Sequence, residues 1–470
     1  MPLRGACEVL SISTLPVPKQ LRTALFIPAS VAPLVTFRVV FGLTTAFGGM
    51  RFWANGWIEK LYLEPGFFFK FYGFAWVHMP GEPWIYWLTG ISILSALGVA
   101  VGLFYRLSAL LFFLSFTWLQ LIDATNYLNH YYLVCLLAFL LIFLPAGRAA
   151  SLDVWLRPHL RRVRVPAWCV YLIIFQLCCV YFFAGLAKLN YDWLVRAMPM
   201  AVWLPERTDT PLLGYFFQYK ETAYLFSWAG AIYDLTIWVF LLNKGTRTVA
   251  YLFVVVFHVL TKVLFNIGLF PLIMIGSTLI FFSDKTHEKA WNTLFGGLFG
   301  FRAFTPPVTE TALPLITAPS PLRRKITLAF LPFFVFFQLL FPLRHLAYPG
   351  DVVWTEEAYR FGWRVMLAEK SGTATFYIED SGSNRRQEII NGNHLTFYQE
   401  KQMAIQADFI LQYAHYLADW YEKNHGFTEP IVTVQSYVAL NARPSRRYID
   451  PNVNLAKIND TFAVRKWVLR

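Results

Sequence analysis

Apolar and polar positions divide the chain into two unequal parts. Through the first 350 residues, long apolar runs fall near 31–49, 84–104, 108–122, 131–145, 167–187, 223–242, 249–265, 268–282 and 326–347. Most are long enough to cross a bilayer as a helix, which takes roughly 20 residues. The third, fourth and eighth, at about 15 residues, fall short of that length, and short spans are tolerated where they border a protein-lined cavity. After position 350 the period changes. "WRVMLAEK" and "TATFYIED" alternate as strands do, "SGSN" supplies turn chemistry, and "IVTVQSYVAL" is a further strand. Between Glu400 and Lys423 the apolar residues Ile405, Phe409, Ile410, Tyr413 and Leu417 return at three-to-four spacing, as on a helix. The expected fold is a polytopic α-helical membrane protein of nine spans with a C-terminal extramembrane α+β domain. Its segments are an N-terminal piece (1–27), a helical membrane domain (28–283), a Pro-, Gly- and Thr-rich linker (284–325), a last span (326–349) and the α+β domain (350–470). No internal repeat is visible, which disfavours a transporter built from symmetric halves.

Composition sharpens this reading. Hydrophobic residues make up 57% and charged residues 15%, against about 25% charged in soluble domains. The net charge of +13 would suggest nucleic acid, but from Asp351 onward 14 basic and 14 acidic side chains cancel, so the whole excess lies in the loops between spans. Loop charge of that kind orients a membrane protein, and no nucleic-acid partner is expected. With Lys19 and Arg22 on the cytoplasmic side, Arg106, "GRAASLDVWLRPHLRRVRV", "NKGTR" and "RRK" at 323–325 fall on the same side. The C-terminal domain then lies outside, as do the span ends that carry Asn129 and His130, Lys188, the stretch after His258, and Arg344–His345. No cleavable leader is expected at the N-terminus. The five cysteines all precede position 180 and show no metal-ligand spacing, so no metal is expected.

Candidate chemistry is sparse. No nucleotide loop, Gly-x-Ser-x-Gly elbow or His-Glu-x-x-His motif is present, which leaves common kinase and hydrolase mechanisms without support. What remains is a set of polar groups at one edge of the membrane. Taken singly, Lys188 in "VYFFAGLAKLNYDWL" reads equally well as an interfacial snorkel, and His258 as an interhelical hydrogen-bonding group. His345 beside Arg344 reads singly as an interface anchor. Asp234, in the middle of a span, must be paired or protonated. Convergence of these groups on one side is what favours function.

The blocks "TNYLNHYYLVCLLAF", "VYFFAGLAKLNYDWL", "YDL", "FHVLTKVLFNIGLFPLIMI", "FPLRHLAYPG", "WTEEAYRFGWRVML", "ADFILQYAHYLA" and "RRYIDPNVNL" resemble, in this order, the vitamin K-dependent gamma-glutamyl carboxylase family and its bacterial relatives. The resemblance implies an enzyme that oxygenates vitamin K hydroquinone (or a menaquinol) with dioxygen to the epoxide, and adds carbon dioxide to a peptide glutamate. It places the catalytic lysine on Lys188 and the carboxylation histidine on His130. Cofactor contacts fall on Asn129, His258, Asp234 and His345, and substrate handling on Trp354, Tyr359 and Trp363. A lysine acts as a base only when neutral, a form that burial generally favours, and the apolar "FFAGLA" approach supplies such a setting. Expected partners are the lipid bilayer, from which the quinol would enter sideways, and a glutamate-containing peptide arriving from outside. The strand near 431–440 is a candidate edge for adding that peptide as a strand. The resemblance also implies a bacterial inner-membrane location with the site on the periplasmic or external face. The tail lacks cysteine, so the disulfide that joins membrane and external parts in the vertebrate enzymes is absent. Two competing readings remain: a quinol epoxidase that does not carboxylate, and a non-catalytic quinone- or lipid-binding membrane protein.

Overall fold

The computed structural model describes residues 23–265, 267–299, 304, 320–383 and 385–470. Lys19, Arg22 and Cys7, used above for orientation and cysteine count, lie outside the described residues. Helices and strands are numbered here in chain order. The membrane part is built from α1 (Ala32–Ala54), α2 (Trp84–Val101), α3 (Tyr105–Ile122), α4 (Asn129–Phe143), α5 (Trp168–Ala187), α6 (Lys220–Leu242), α7 (Arg247–Leu264), α8 (Phe270–Thr278) and, after α9 (Asp284–Phe299), α10 (Pro321–Leu340). Seven of these apolar helices, the last extended through Ala347, are long enough to cross a membrane. The apolar helices Asn129–Phe143 and Phe270–Phe281 are shorter. A 15-residue helix rises only about 22 Å, less than the ~30 Å hydrocarbon core. Both short helices start at residues that line one cavity, so their missing turns leave space instead of touching lipid.

α5 is the central post. It is apolar all round, as expected of a helix enclosed by others, and Cys169, Ile173, Leu177 and Val180 are among its buried residues. Glycines permit close crossings around it. A Cβ on Gly185 would stand 2.7 Å from the Leu235 backbone nitrogen on α6, and one on Gly42 would stand 2.6 Å from Ala100 N on α2. Arg38 is fully buried at the opposite end of the bundle from the C-terminal domain, where it donates to the carbonyls of Ala146, Ala149 and Ala150.

The C-terminal domain is α+β. Its four-stranded antiparallel sheet runs in the order β2–β1–β3–β4, with β1 Lys370–Glu379, β2 Arg386–Glu388, β3 Ile431–Leu440 and β4 Arg446–Arg447. β1 and β3 pair along their full length, from Lys370 opposite Leu440 to Glu379 opposite Ile431. Their alternate residues Phe376, Ile378, Val432 and Val434 are buried, and α11 (Ala407–His425) contributes Phe409, Ile410, Tyr413 and Leu417 to the same core. Phe69, Phe71 and Ala124, from loops of the membrane part, belong to that core too. Polar pairs pin the junction: Gln412 exchanges hydrogen bonds with the Lys70 backbone, and Gln399 donates to Asp123 at 2.8 Å. Arg443 forks onto Asp192, which also accepts from Asn441. The domain therefore caps the bundle at the end where α4 and α8 begin and α5 stops.

Four expectations change. The third span begins at Tyr105 and reaches 18 residues, so it is not among the short ones. The stretch 284–325 opens with a helix, α9, because His287 and Trp291 reach Thr36, while Ser30 bonds Asp284 and Glu288; these contacts dock the polar segment on α1. "WRVMLAEK" is not a strand before Lys370, since Trp363 and Met366 have φ of 57° and 53°, which an extended ladder does not admit. The strand 431–440 is not a free edge: it is paired to β1 throughout and to β4 at Tyr437 and Val438, so strand addition there has no room along the β1 side.

Candidate functional site

α5 ends at Lys188, which occupies the C-cap with helical φ and ψ, and Asn190 starts the next short helix by accepting from Trp193 N at 2.9 Å. A cation at a helix C-terminus meets the negative end of the dipole. The lysine does not snorkel outward. It is only 6% exposed, and Nζ lies 2.6 Å from Asp234 Oδ2 on α6. The close crossing at Gly185 sets this distance, because the Gly185 Cα faces the backbone of Asp234 and Leu235. Nζ also approaches Ala184 O at 3.4 Å and lies 5.2 Å from the Trp193 ring centroid. Trp193 is locked over the pair by donating Nε1–H to Ser227 O at 2.6 Å. The ammonium thus has one carboxylate, one distant carbonyl and one aromatic face.

Aromatic rings connect this pair to the histidines. Tyr181 lies two turns before Lys188 on α5, and Tyr233 precedes Asp234 on α6. Both ring centroids lie 6.3 Å from that of His258 on α7. His258 directs Nδ1 at Val254 O, 2.9 Å away; a carbonyl can only accept, so Nδ1 carries the proton and Nε2 is left as an acceptor. Phe270 lies between the two histidines, 5.8 Å from His258 and 5.9 Å from His130 by centroid. Neither Tyr181 nor Tyr233 was singled out from sequence. Each follows from Lys188 or Asp234 by helical spacing, but membrane helices are too rich in tyrosine here for spacing alone to pick them.

His130 stands in the first turn of α4, buried to 8% exposure. Among the described residues its ring nitrogens hold no hydrogen-bond partner, and the ring faces a cavity of about 1030 Å³. The walls come from α1, α2, α3, α4, α8 and the C-terminal domain; Phe116, Leu119, Val134, Phe270 and Ile273 supply apolar surface. Gly268, with φ of 62°, lets the backbone pass beneath the imidazole, where an added Cβ would lie 3.7 Å from Nε2. Lys262 fixes that turn by donating to Gly268 O at 2.9 Å. Arg51, Lys60 and Glu64 add charge to the wall. Lys188 and Asp234 are not part of this lining.

The remaining predicted residues are distributed more widely. Asn129 lines the same cavity, and its amide is engaged at both ends: Oδ1 accepts from Tyr127 and Nδ2 donates to Arg364 O, so it ties α4 to the segment after the last span. His345 directs Nδ1 at Pro342 O, 3.0 Å away, at the end of that span. Trp354 sits in the core of the C-terminal domain, donating to Leu469 O and packing edge-on against Tyr448. Tyr359 donates to Arg364 O, and Trp363 is buried against Tyr132 on α4 at a centroid distance of 5.0 Å. His258 and His130 are therefore joined by a row of ring contacts that starts at Tyr181 and Tyr233, on the helices that carry Lys188 and Asp234; Trp354 belongs to a separate core. Among the described residues no cluster of three His, Cys, Asp or Glu is arranged to hold a metal ion.

Comparison with known families gives two matches. Residues 26–285 match the HTTM domain, and residues 323–470 match the vitamin K-dependent gamma-carboxylase lumenal domain. No solved structure matches the chain.

Proposed function

We propose, for a chain that belongs to the vitamin K-dependent gamma-carboxylase family, that it couples oxygenation of a reduced naphthoquinone to carboxylation of a glutamate side chain in a peptide. The observation that carries this reading is the single-contact Lys188–Asp234 pair, enclosed at the end of α5 and linked by aromatic rings to His258 and His130. The family implies vitamin K as cofactor, and the cavity beside His130 fits such a group: its volume suits a ring with part of an isoprenoid tail, and its wall is largely apolar. When bound, reduced vitamin K supplies, through its reaction with dioxygen, a strong base and leaves as the epoxide.

The chain's own residues do the rest. Lys188 Nζ takes the hydroquinone proton, and the Asp234 carboxylate balances the charge that then develops on nitrogen. Contact between a ring and Lys188 requires Phe270 to swing aside, since it fills the space between His130 and His258. His130, with both ring nitrogens unengaged, orients carbon dioxide or the glutamate carboxylate, or relays a proton. His258 offers Nε2 as an acceptor along the same row. Asn129 and the segment carrying Tyr359 and Trp363 position α4, while His345 and Trp354 anchor the chain ahead of that segment, at the span end and in the domain core. The capping domain and Trp193 exclude water, which would quench a carbanion. The peptide enters from the side of the C-terminal domain, assigned here to the outer face of a bacterial inner membrane.

The test is a reconstitution. Detergent-purified protein receives reduced vitamin K, oxygen, labelled bicarbonate and a short glutamate peptide. Epoxide together with label fixed in the peptide is expected. Epoxide without fixed label would reduce the function to quinol oxygenation, and absence of both would leave a binding protein.

A further inference from the structure

We propose that Arg364 is the receptor for the phosphate of an anionic lipid headgroup, held where the last span meets the C-terminal domain. Arg364 is only 8% exposed, and its Nε is sealed from solvent without any hydrogen-bond partner. The terminal guanidinium nitrogens are not sealed, and they too hold no partner among the described residues. Two other enclosed arginines engage their terminal nitrogens: Arg38 donates from Nη1 and Nη2 to three carbonyls, leaving only Nε without a partner, and Arg360 donates to Asp408 and Gln406. A guanidinium carries five donors and keeps its charge when enclosed, so an empty one inside a protein marks a place where an anion belongs.

The surroundings say which kind of anion. Arg344, at the end of the apolar span, adds positive charge that reaches the same spot. Arg344 spends its own donors on Phe341 O and Arg360 O. The nearby Asp351 carboxylate caps Val353 N through Oδ1 at 2.8 Å and makes no hydrogen bond or ion pair with Arg364. Below this group the span shows a lipid-facing stripe at helical spacing, Phe333, Phe337 and Leu340, all at least 40% exposed, and Leu346 beside it is 74% exposed. Acyl chains along the stripe would bring a headgroup phosphate to the level of the guanidinium, and planar, forked donors suit phosphate oxygens. Val365 and Met366 line the main cavity while the Arg364 side chain does not, which separates this site from the reaction centre.

The backbone holds Arg364 in place at a cost. Glu356, Ala358, Phe361, Trp363 and Met366 all have φ between 53° and 61°. Five such residues within eleven positions are sustained by surrounding bonds: Phe361 N to Tyr127 Oη, and Arg364 O to Asn129 and Tyr359. Strain of this kind collects at ligand clamps.

Native mass spectrometry of the full chain, titrated with short-chain phosphatidylglycerol and separately with phosphatidylcholine, tests the assignment. Wild type should retain phosphatidylglycerol at least about tenfold more tightly, the scale of one or two charge-assisted hydrogen bonds. Arg364→Gln should erase the preference while phosphatidylcholine binding stays the same, and Arg364→Lys should keep part of it, which covers the case of a misfolded Gln variant. Equal binding of the two lipids by wild type, or a preference that survives in Arg364→Gln, would overturn the proposal. So would displacement of the bound lipid by inorganic phosphate or by a glutamate peptide, since the oxyanion would then come from a free solute.

Discussion

Two enclosed ion pairs sit on either side of the membrane boundary. Lys188–Asp234 lies inside the bundle and Arg360–Asp408 inside the junction with the capping domain. The second is saturated: Arg360 forks onto both Asp408 oxygens and Gln406, while its guanidinium stacks 4.3 Å from the Phe409 ring centroid. The first has one short contact to one carboxylate oxygen and only a 3.4 Å approach to a carbonyl. The chemistry of the cations differs as well, because guanidinium does not release its proton in proteins whereas an enclosed lysine amine can. A saturated arginine pair fastens structure. An unsaturated lysine pair, in a dry site, leaves an amine able to accept a proton from a substrate.

Substitutions at the two pairs should separate these roles, with the largest effect first. Lys188→Ala should abolish both epoxide and fixed label, a loss of at least ~10²–10⁴-fold if the amine is a general base. Retention of either product in full would remove Lys188 from the chemistry. Arg360→Met should instead cost stability, about 3–5 kcal/mol in a denaturant titration, because it strands Asp408 inside the fold; an unchanged midpoint would contradict the saturated-pair reading. Gly185→Ala places a methyl 2.7 Å from Leu235 N and should force α5 and α6 apart, costing about 1–3 kcal/mol in thermal unfolding and lowering epoxide formation with it. An active variant of wild-type stability would show that the crossing does not set the ion pair.

The smallest effect is in pH. Burial raises the Asp408 carboxyl, but Arg360 and Arg465 more than offset this and hold it down at about 2. A carboxyl depressed below its unfolded value near 3.9 contributes stability that is full above that value and is lost as pH falls towards 2, on the order of 2 kcal/mol. Between pH 4 and 2 the wild type should lose more unfolding free energy than Asp408→Asn. Parallel curves would contradict the assignment.

Much of the fold was legible because lipid imposes a simple rule: nine apolar runs became nine apolar helices at the expected places. What stayed hidden depended on partners distant in sequence. Lys188 and Asp234 each stood out as polar groups in apolar runs, but their pairing across 46 positions depends on the glycine crossing. "WRVMLAEK" alternates like a strand, yet its residues alternate for two different neighbours: Trp363 packs on Tyr132, and Val365 and Met366 face the cavity. The Pro-, Gly- and Thr-rich stretch 284–325 suggested a linker, and α9 stayed hidden because its docking beside α1 relies on Ser30 and Thr36, some 250 residues earlier. Asn129, a cofactor contact by family resemblance, lines the cavity, and its bonds to Tyr127 and Arg364, one of them 235 positions away, were not legible in the sequence.

The contrast between the pairs can be put to one decisive substitution. Lys188→Arg keeps a cation opposite Asp234 but one that does not give up its proton. Measured for vitamin K epoxide in detergent, the variant should unfold at the wild-type temperature within a few degrees and form no product. Epoxide formed at the wild-type rate would show that the pair only fastens α5 to α6, and that the base lies elsewhere.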